Sequence, residues 1–209
     1  MQTRTIVLAL GTLGLVACGG ASPPPANAPI EPKIVVVSAE MGSPHPGDPA
    51  PDFDLPDDKG NKVKLSSMRG SIVMLAFVTS WCPFSKAEQP HLKALADEYA
   101  PKGIKFVAVN VNEPEAGYKE YVGRVALPFP VLRDESGDVS RSFAPPKVLL
   151  DFKDRSRVVI SANLVINADG AIRLLALAGT LSFDAKYVHV RRALEEALAQ
   201  GGAPKEPAK

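Results

Sequence analysis

Hydrophobic and polar positions follow distinct patterns along the chain, and the clearest of them predict buried strands and one long helix. Two nearly unbroken apolar runs, 72–78 and 104–111, are typical of strands that are buried on both faces. Between them, the apolar positions of 83–99 recur with helical spacing. Pro83 suits the first turn of this helix because its missing N–H needs no partner there, whereas Pro90 should kink it.

The remaining patterns complete a mixed order of strands and helices. An Asn-Ala-Asp-Gly turn at 167–170 separates two apolar segments and predicts a β-hairpin. The order strand, helix, strand, helix, short strand, hairpin, helix predicts an α/β fold with a central mixed sheet flanked by helices. The other predicted elements are a half-exposed strand at Val63 and Leu65 after a turn at 58–61, a helix over 114–125, a short strand over 129–132, hairpin strands over 157–166 and 171–178, and a final helix over 184–200.

The first residues have the pattern of an export signal. An apolar run over 6–17 follows Arg4 and is too short to span a bilayer, which takes roughly 20 residues. The run ends in Leu15-Val16-Ala17-Cys18, which resembles the bacterial lipobox, where an acylated cysteine becomes the first mature residue. The resemblance implies lipidation of Cys18 and attachment to the bacterial cell envelope with the domain in the periplasm. An ordinary signal peptide or an uncleaved anchor is the alternative.

The distribution of proline divides the rest of the chain. Ten of the 20 prolines lie between Pro23 and Pro56, and proline-rich chain is extended and semi-rigid. The apolar stretch 34–37 is either part of this tether or a short edge strand. The absence of Asp at Gly19 favours the outer membrane by analogy with lipoproteins of enteric bacteria. The predicted organisation is a signal peptide over 1–17, a tether over 18–50, a folded domain over 51–200 and a disordered tail over 201–209.

Charge and histidine placement exclude several classes of partner. The chain has 24 Lys+Arg against 23 Asp+Glu, which argues against a strongly basic nucleic-acid binder and leaves membrane attachment to acyl chains. His45, His91 and His189 are far apart, with no carboxylate or cysteine at metal-ligand spacing. The sequence therefore predicts neither a metal site nor another cofactor.

The candidate chemistry lies at Cys82, one of only two cysteines. Cys82 stands where the buried strand 72–78 gives way to the helix over 83–99. The unpaired N–H groups and partial positive charge at a helix N-terminus favour thiolate, which is the reactive form, over thiol. A lone cysteine can equally be an inert buried thiol, so its neighbours decide between the two interpretations. Cys18 has so different a setting that no disulfide between the two is predicted.

The neighbours of Cys82 resemble a known group of proteins. The stretches Pro51-Asp52-Phe53, Arg69-Gly70, Phe77 to Pro90 and Gly103 to Asn110 are similar to the TlpA/ResA and AhpC/TSA group of thioredoxin-like redoxins. The resemblance covers about 50–200 and implies a thioredoxin fold, with chemistry at the first cysteine of a W-C-x-x-C motif. Trp81 and Cys82 match the first two positions of that motif, Glu88 matches an acid found six residues later in many ResA-like members, and Pro90 matches the kink.

The chain departs from this motif at Ser85, which occupies the place of the second cysteine in Trp81-Cys82-Pro83-Phe84-Ser85. A dithiol enzyme releases its mixed disulfide by attack from the second cysteine, and a serine hydroxyl cannot do this. Any disulfide of Cys82 in a lipidated chain must therefore join it to another molecule. Ser85 either hydrogen-bonds the thiolate or is a helix-compatible replacement, and the sequence leaves both interpretations open.

A second departure concerns the loop that should face Cys82. In this loop, which includes Ile160, counting back from the hairpin strand places Ser161 where thioredoxin-like proteins carry a cis-proline and peroxiredoxins an arginine. Thr79 fits the hydroxyl three residues before a peroxidatic cysteine, but Leu75 stands where that motif has proline. Arg155 or Arg157 could supply the missing cation for peroxide chemistry.

Three functional hypotheses remain. The leading one is a lipid-anchored periplasmic thiol oxidoreductase that forms mixed disulfides with protein or small-molecule thiols through Cys82 alone, with Glu88 assisting proton transfer. The second is a single-cysteine peroxidase, in which Cys82 becomes sulfenic acid and an outside thiol restores it. The third is a degenerate, non-catalytic redoxin that acts as a binding module of the cell envelope.

Overall fold

The computed structural model describes residues 35–36, 39–147, 162–177 and 186–201, all within one unit, Pro32–Lys209. The strands are β1 Val35–Val36, β2 Asp54–Pro56, β3 Lys62–Lys64, β4 Val73–Val78, β5 Lys105–Val111, β6 Val131–Asp134, β7 Ala162–Ile166 and β8 Ile172–Leu177. The helices are α1 Pro83–Tyr99, α2 Glu115–Val125, α3 Asp138–Ser142 and α4 Val188–Ala199. A six-stranded mixed sheet has the order β1-β8-β7-β4-β5-β6, and β2 and β3 form a separate hairpin. Strands β4, β5 and β6 are parallel, whereas β7 is antiparallel to β4.

The sheet separates two hydrophobic cores. Every residue of β4 is buried, because one face of the strand packs under the helices and the other under the β2–β3 hairpin and α3. Leu92 of α1, Tyr121 of α2 and Leu194 of α4 belong to the first core. Phe77 and Phe143 belong to the second, with ring centroids 5.1 Å apart. This layering confirms the predicted α/β fold with helices flanking a mixed sheet.

The helix that follows Cys82 has the predicted bounds, Pro83–Tyr99, and contains Pro90. The buried runs form β4 and β5, and the Asn167–Gly170 turn joins β7 to β8. Some local predictions were wrong or incomplete. The short strand predicted over 129–132 is β6, Val131–Asp134, and the final helix predicted over 184–200 is α4, Val188–Ala199. Leu65 does not continue a strand, because β3 ends at Lys64 and Leu65–Met68 forms a 3₁₀ turn that buries Leu65 and Met68. Sequence periodicity also missed α3, which is only five residues long.

The fold begins upstream of the predicted boundary at residue 50. Val35–Val36 pairs with β8, which resolves the open question about 34–37 in favour of an edge strand. Gly47 N–H donates to Ile172 O over 2.8 Å, and Ala50 N–H donates to Gly170 O over 3.0 Å. The prolines of this stretch therefore border backbone that pairs with the sheet, so the predicted tether does not extend to residue 50. The remainder of the tether, the signal segment and the tail 202–209 lie outside the described residues.

Candidate functional site

Cys82 lies at the junction of β4 and α1, as predicted. It is the N-cap of α1, with extended backbone (φ −72°, ψ 123°), and Pro83 takes the first helical position. The Lys86 N–H donates to Cys82 O over 3.1 Å and closes the first turn. Cys82 is a free thiol that is 8% exposed, whereas the adjoining Trp81 is 60% exposed. The junction thus places a reactive residue type at the edge of the fold beside a large apolar side chain.

The Ser85 side chain is hydrogen-bonded to the loop that precedes Cys82. Its Oγ accepts a hydrogen bond from Thr79 N–H over 3.2 Å, and the side chain is 1% exposed. No hydrogen bond between Ser85 and the Cys82 thiol occurs in the described part of the chain, so the structure does not show the first of the two interpretations of Ser85. Ser85 is more than a neutral replacement for cysteine, because it holds the end of β4 against the start of α1.

Thr79 is buried, and its hydroxyl makes no hydrogen bond within the ranges that the structure describes. The position three residues before Cys82 therefore carries a buried hydroxyl without a partner there. This is the polar group that a peroxidatic motif would place near its cysteine.

Glu113 is a site residue that sequence reasoning missed. Its Oε1 accepts a hydrogen bond from Ser80 N–H, two residues before Cys82, and the side chain is 4% exposed. In the sequence, Glu113 stands just before the helix predicted over 114–125 and has no local pattern that marks it as a site residue. A usable signal was present, because β4 and β5 are parallel neighbours and the residues after their carboxyl ends meet at one edge of the sheet.

Glu88 lies in the second turn of α1, buried against the sheet. Asn163 of β7 donates its Nδ2 to Glu88 Oε1 over 2.8 Å, and its register partner on β4 is Ala76. The predicted acid is therefore an interior group behind the Cys82 junction rather than a solvated surface residue. The sequence pattern did not single out Asn163, because it is one polar residue within a mostly apolar hairpin segment.

The pKa of Tyr121, on α2, is affected by both buried carboxyl groups, Glu88 and Glu113. Burial raises the pKa of Tyr121 to about 12, and the nearby Glu113 and Glu88 carboxylates contribute to the rise. Asn110 of β5, the register partner of Val78, is also fully buried. We call the buried polar residues of α1, α2, β5, β7 and the loop after β5 the polar cluster: Glu88, Asn110, Glu113, Tyr121 and Asn163.

The other predicted site residues cannot be placed. Cys18, Ile160, Ser161, Arg155 and Arg157 lie outside the described residues. Over the described ranges, no three His, Cys, Asp or Glu side chains form a group able to hold a metal ion. None of the helices in those ranges has the length and apolar character needed to cross a membrane.

Comparison with known proteins gives consistent matches. Residues 46–174 match the AhpC/TSA family. The thiol-disulfide oxidoreductase ResA of Geobacillus kaustophilus is 32% identical over 122 residues, which cover 56% of this chain and 70% of that protein. ResA of Halalkalibacterium halodurans is 37% identical over 93 residues, 44% of this chain and 53% of that protein. The matched part of the chain thus spans 50% to 70% of the length of the curated relatives.

Solved structures share the fold. A putative thiol:disulfide interchange protein DsbE from Chlorobium tepidum aligns with a TM-score of 0.58 and 28% identity, covering 73% of this chain and 97% of that one. Peroxidoxin BcpB from Mycobacterium tuberculosis aligns with a TM-score of 0.56 and 23% identity, covering 74% and 96%. Because the family match covers more than half of the chain and the fold agrees, the protein belongs to the AhpC/TSA family and is a thioredoxin-like redoxin.

Proposed function

We propose that the protein is a thiol oxidoreductase that acts through Cys82 alone and is tethered to the bacterial cell envelope by lipidated Cys18, with its domain in the periplasm. The carrying observation is the β4–α1 junction. A free cysteine, Cys82, occupies the N-cap position of α1. Ser85 stands at the position of a resolving thiol, and its hydroxyl oxygen accepts a hydrogen bond from the Thr79 N–H. Relatives named thiol-disulfide oxidoreductase support the reaction class.

The chemistry is a single thiol–disulfide exchange followed by release to an outside thiol. The Cys82 thiolate attacks one sulfur of a substrate disulfide, the substrate S–S bond breaks, and one substrate thiolate leaves. Cys82 is then oxidised in a mixed disulfide with the other half of the substrate. A second thiol from solution attacks that bond, becomes disulfide-linked to the substrate half and returns Cys82 to the thiolate.

Several side chains support this reaction in the proposal. Cys82 occupies the N-cap of α1, at the partly positive end of a helix that opens with Pro83, and its side chain makes no capping hydrogen bond. Trp81, exposed beside Cys82, offers apolar surface to a docking protein or small thiol. Glu88, buried and accepting a hydrogen bond from Asn163 Nδ2, is the acid to which the proposal assigns proton transfer with Cys82.

A single-cysteine peroxidase is the second candidate, and the buried hydroxyl of Thr79 favours it. In that reaction the Cys82 thiolate attacks a peroxide oxygen, the O–O bond breaks, and the products are cysteine sulfenic acid and water or an alcohol. An outside thiol then condenses with the sulfenic acid and releases water, and a second thiol frees Cys82.

Rates measured on the full chain carrying Cys18→Ser, in which Cys82 is the remaining thiol, test the proposal. We expect Cys82 to form a disulfide adduct with glutathione disulfide faster than free cysteine does, and faster than it is oxidised by hydrogen peroxide. Preferential gain of one oxygen atom would select the peroxidase instead. Reactivity equal to that of free cysteine toward both reagents would overturn both enzymatic candidates and leave the non-catalytic binding module. Cys82→Ser is the control for reaction at other residues.

A further inference from the structure

The segment between β4 and α1 is held by two side chains at consecutive backbone amides. Thr79 N–H donates to Ser85 Oγ, and Ser80 N–H donates to Glu113 Oε1. The first acceptor belongs to the helix that follows, whereas the second comes from the loop after β5, 33 residues away in sequence. Among the side-chain hydrogen bonds of the described residues, only the Glu113 bond ties the segment to a part of the fold outside β4 and α1.

Glu113 is costly to place where it is. It is 4% exposed, and its second oxygen, Oε2, makes no hydrogen bond within the described residues. That oxygen lies against the first turn of α2, where a Cβ added to Gly117 would be 3.6 Å away. Buried carboxylate oxygens without a hydrogen-bond partner are rare in native proteins, because leaving one unpaired destabilises the fold. A role for Glu113 at the site would offset this loss of stability.

The residues that Glu113 restrains are those that meet a substrate. Ser80 is followed by exposed Trp81 and then by Cys82, and 79–82 has no strand or helix hydrogen bonding of its own before the first turn of α1. If the Ser80 N–H lost its bond to Glu113, the Ser80 peptide could rotate, and the Trp81 ring and the Cys82 thiol would change orientation with it. Displacements of this kind are costly to reactions that need alignment of the attacking atom.

We infer that Glu113 is a positioning residue for Cys82: its carboxylate, through the Ser80 amide, fixes the turn that presents Trp81 and the thiol to a substrate. This role rests on the proposed function at Cys82. It requires an acceptor of the right reach at position 113, and it does not require a negative charge.

Two conservative variants separate reach from charge. Glu113→Gln keeps a side-chain oxygen of the same reach and removes the charge, whereas Glu113→Asp keeps the charge and withdraws the oxygen by one methylene. Asp134→Ala is the matched control, because Asp134 is another buried carboxylate that accepts a backbone N–H, from Ser140 over 2.8 Å, at the end of β6. Each change is made in the full chain with Cys18→Ser.

Three measurements read the turn directly. Hydrogen exchange reports the Ser80 amide, time-resolved fluorescence anisotropy reports Trp81, which is the chain's single tryptophan, and the rate of adduct formation with glutathione disulfide reports Cys82. We expect Glu113→Asp to speed Ser80 exchange roughly tenfold, to add fast motion of Trp81 and to slow the Cys82 reaction roughly tenfold. Glu113→Gln should match the unsubstituted protein in all three, and Asp134→Ala should change none of them.

Unchanged Ser80 exchange and Trp81 motion in Glu113→Asp would overturn the inference, as would a Glu113→Gln variant that is equally impaired. Altered Ser80 exchange with an unchanged Cys82 rate would also overturn it, because the restraint would then serve the fold alone. If the unsubstituted protein reacts no faster than free cysteine, the proposed function fails. The restraint on the turn is still decided by the Ser80 and Trp81 measurements.

Discussion

The hydroxyl oxygen of Ser85 accepts the backbone N–H of Thr79 over 3.2 Å, across the loop that contains Cys82. Ser85, at the position where the W-C-x-x-C motif has its second cysteine, therefore stabilises the junction between β4 and α1. Single substitutions at this position can test both the stability of the junction and the proposed chemistry of Cys82.

Restoring a second thiol should change the lifetime of the mixed disulfide. In the Ser85→Cys variant, we expect the thiol introduced at position 85 to attack the sulfur of Cys82, expel the substrate half and leave an internal disulfide, because the spacing is that of a dithiol motif. Intact mass after treatment with glutathione disulfide checks this, with Cys18→Ser in the background. Persistence of the glutathione adduct in Ser85→Cys would show that the thiol at position 85 cannot reach Cys82.

Removing the Ser85 hydroxyl should destabilise the fold without shortening the adduct lifetime. Ser85→Ala leaves the buried Thr79 N–H without its acceptor, which costs about 1–3 kcal/mol of the free energy of unfolding. Urea denaturation measures the loss. Ser67→Ala is the control, because the Ser67 hydroxyl bonds Lys64 O at an exposed site and its loss should cost less. Equal losses in the two variants would show that the Ser85 bond has no special weight.

The buried side-chain amide of Asn163 should contribute measurably to the free energy of unfolding. Asn163→Ala removes the donor to Glu88 Oε1 at a buried site, and we expect the free energy of unfolding to fall by about 2 kcal/mol. Asn61→Ala is the matched control, because Asn61 makes the same type of bond to Asp57 at 3.0 Å on the exposed surface. A smaller loss in Asn163→Ala than in Asn61→Ala, measured by urea denaturation, would contradict the importance assigned to the polar cluster.

The ion pair between Glu98 of α1 and Arg191 of α4 should weaken in acid. A hydrogen bond from Arg191 lowers the pKa of Glu98 below its usual value of 4.5. A carboxyl whose pKa is lowered by folding stabilises the protein above its unfolded pKa, and this contribution is lost as the pH falls through the folded value. The stability difference between the unsubstituted protein and Glu98→Gln should therefore be present near neutrality and shrink below pH 4.5.

Urea denaturation across this acid range measures the difference. Glu120→Gln is the control, because Glu120 is exposed on α2 and makes no ion pair in the described part of the chain. A Glu98→Gln difference that stays constant down to strongly acidic pH would refute the role given to the Arg191 contact.

Local patterns were sufficient for most of the fold. The bounds of α1 and the positions of β4 and β5 follow from apolar runs and from prolines that constrain the backbone in known ways. Residues near Val35 could not be assigned, because a two-residue edge strand is defined by its partner β8 and not by its own sequence. Leu65 was assigned to a strand because alternation cannot distinguish a strand end from a 3₁₀ turn.

The candidate site was predictable where it is local in sequence. Trp81, Cys82, Ser85 and Glu88 lie on one strand–helix junction, and their spacing alone places them together. Glu113 comes from the loop after β5 and Asn163 from β7, so the pairing of β5 and β7 with β4 brings them to the junction.

The most direct test of monothiol chemistry is the fate of the Cys82 adduct. The full chain carrying Cys18→Ser is treated with glutathione disulfide, and its intact mass is followed before and after a fresh thiol is added. We predict rapid gain of one glutathione, an adduct that persists while no other thiol is present, and full recovery of the free thiol after the addition. Failure of Cys82 to form an adduct faster than free cysteine would contradict the account.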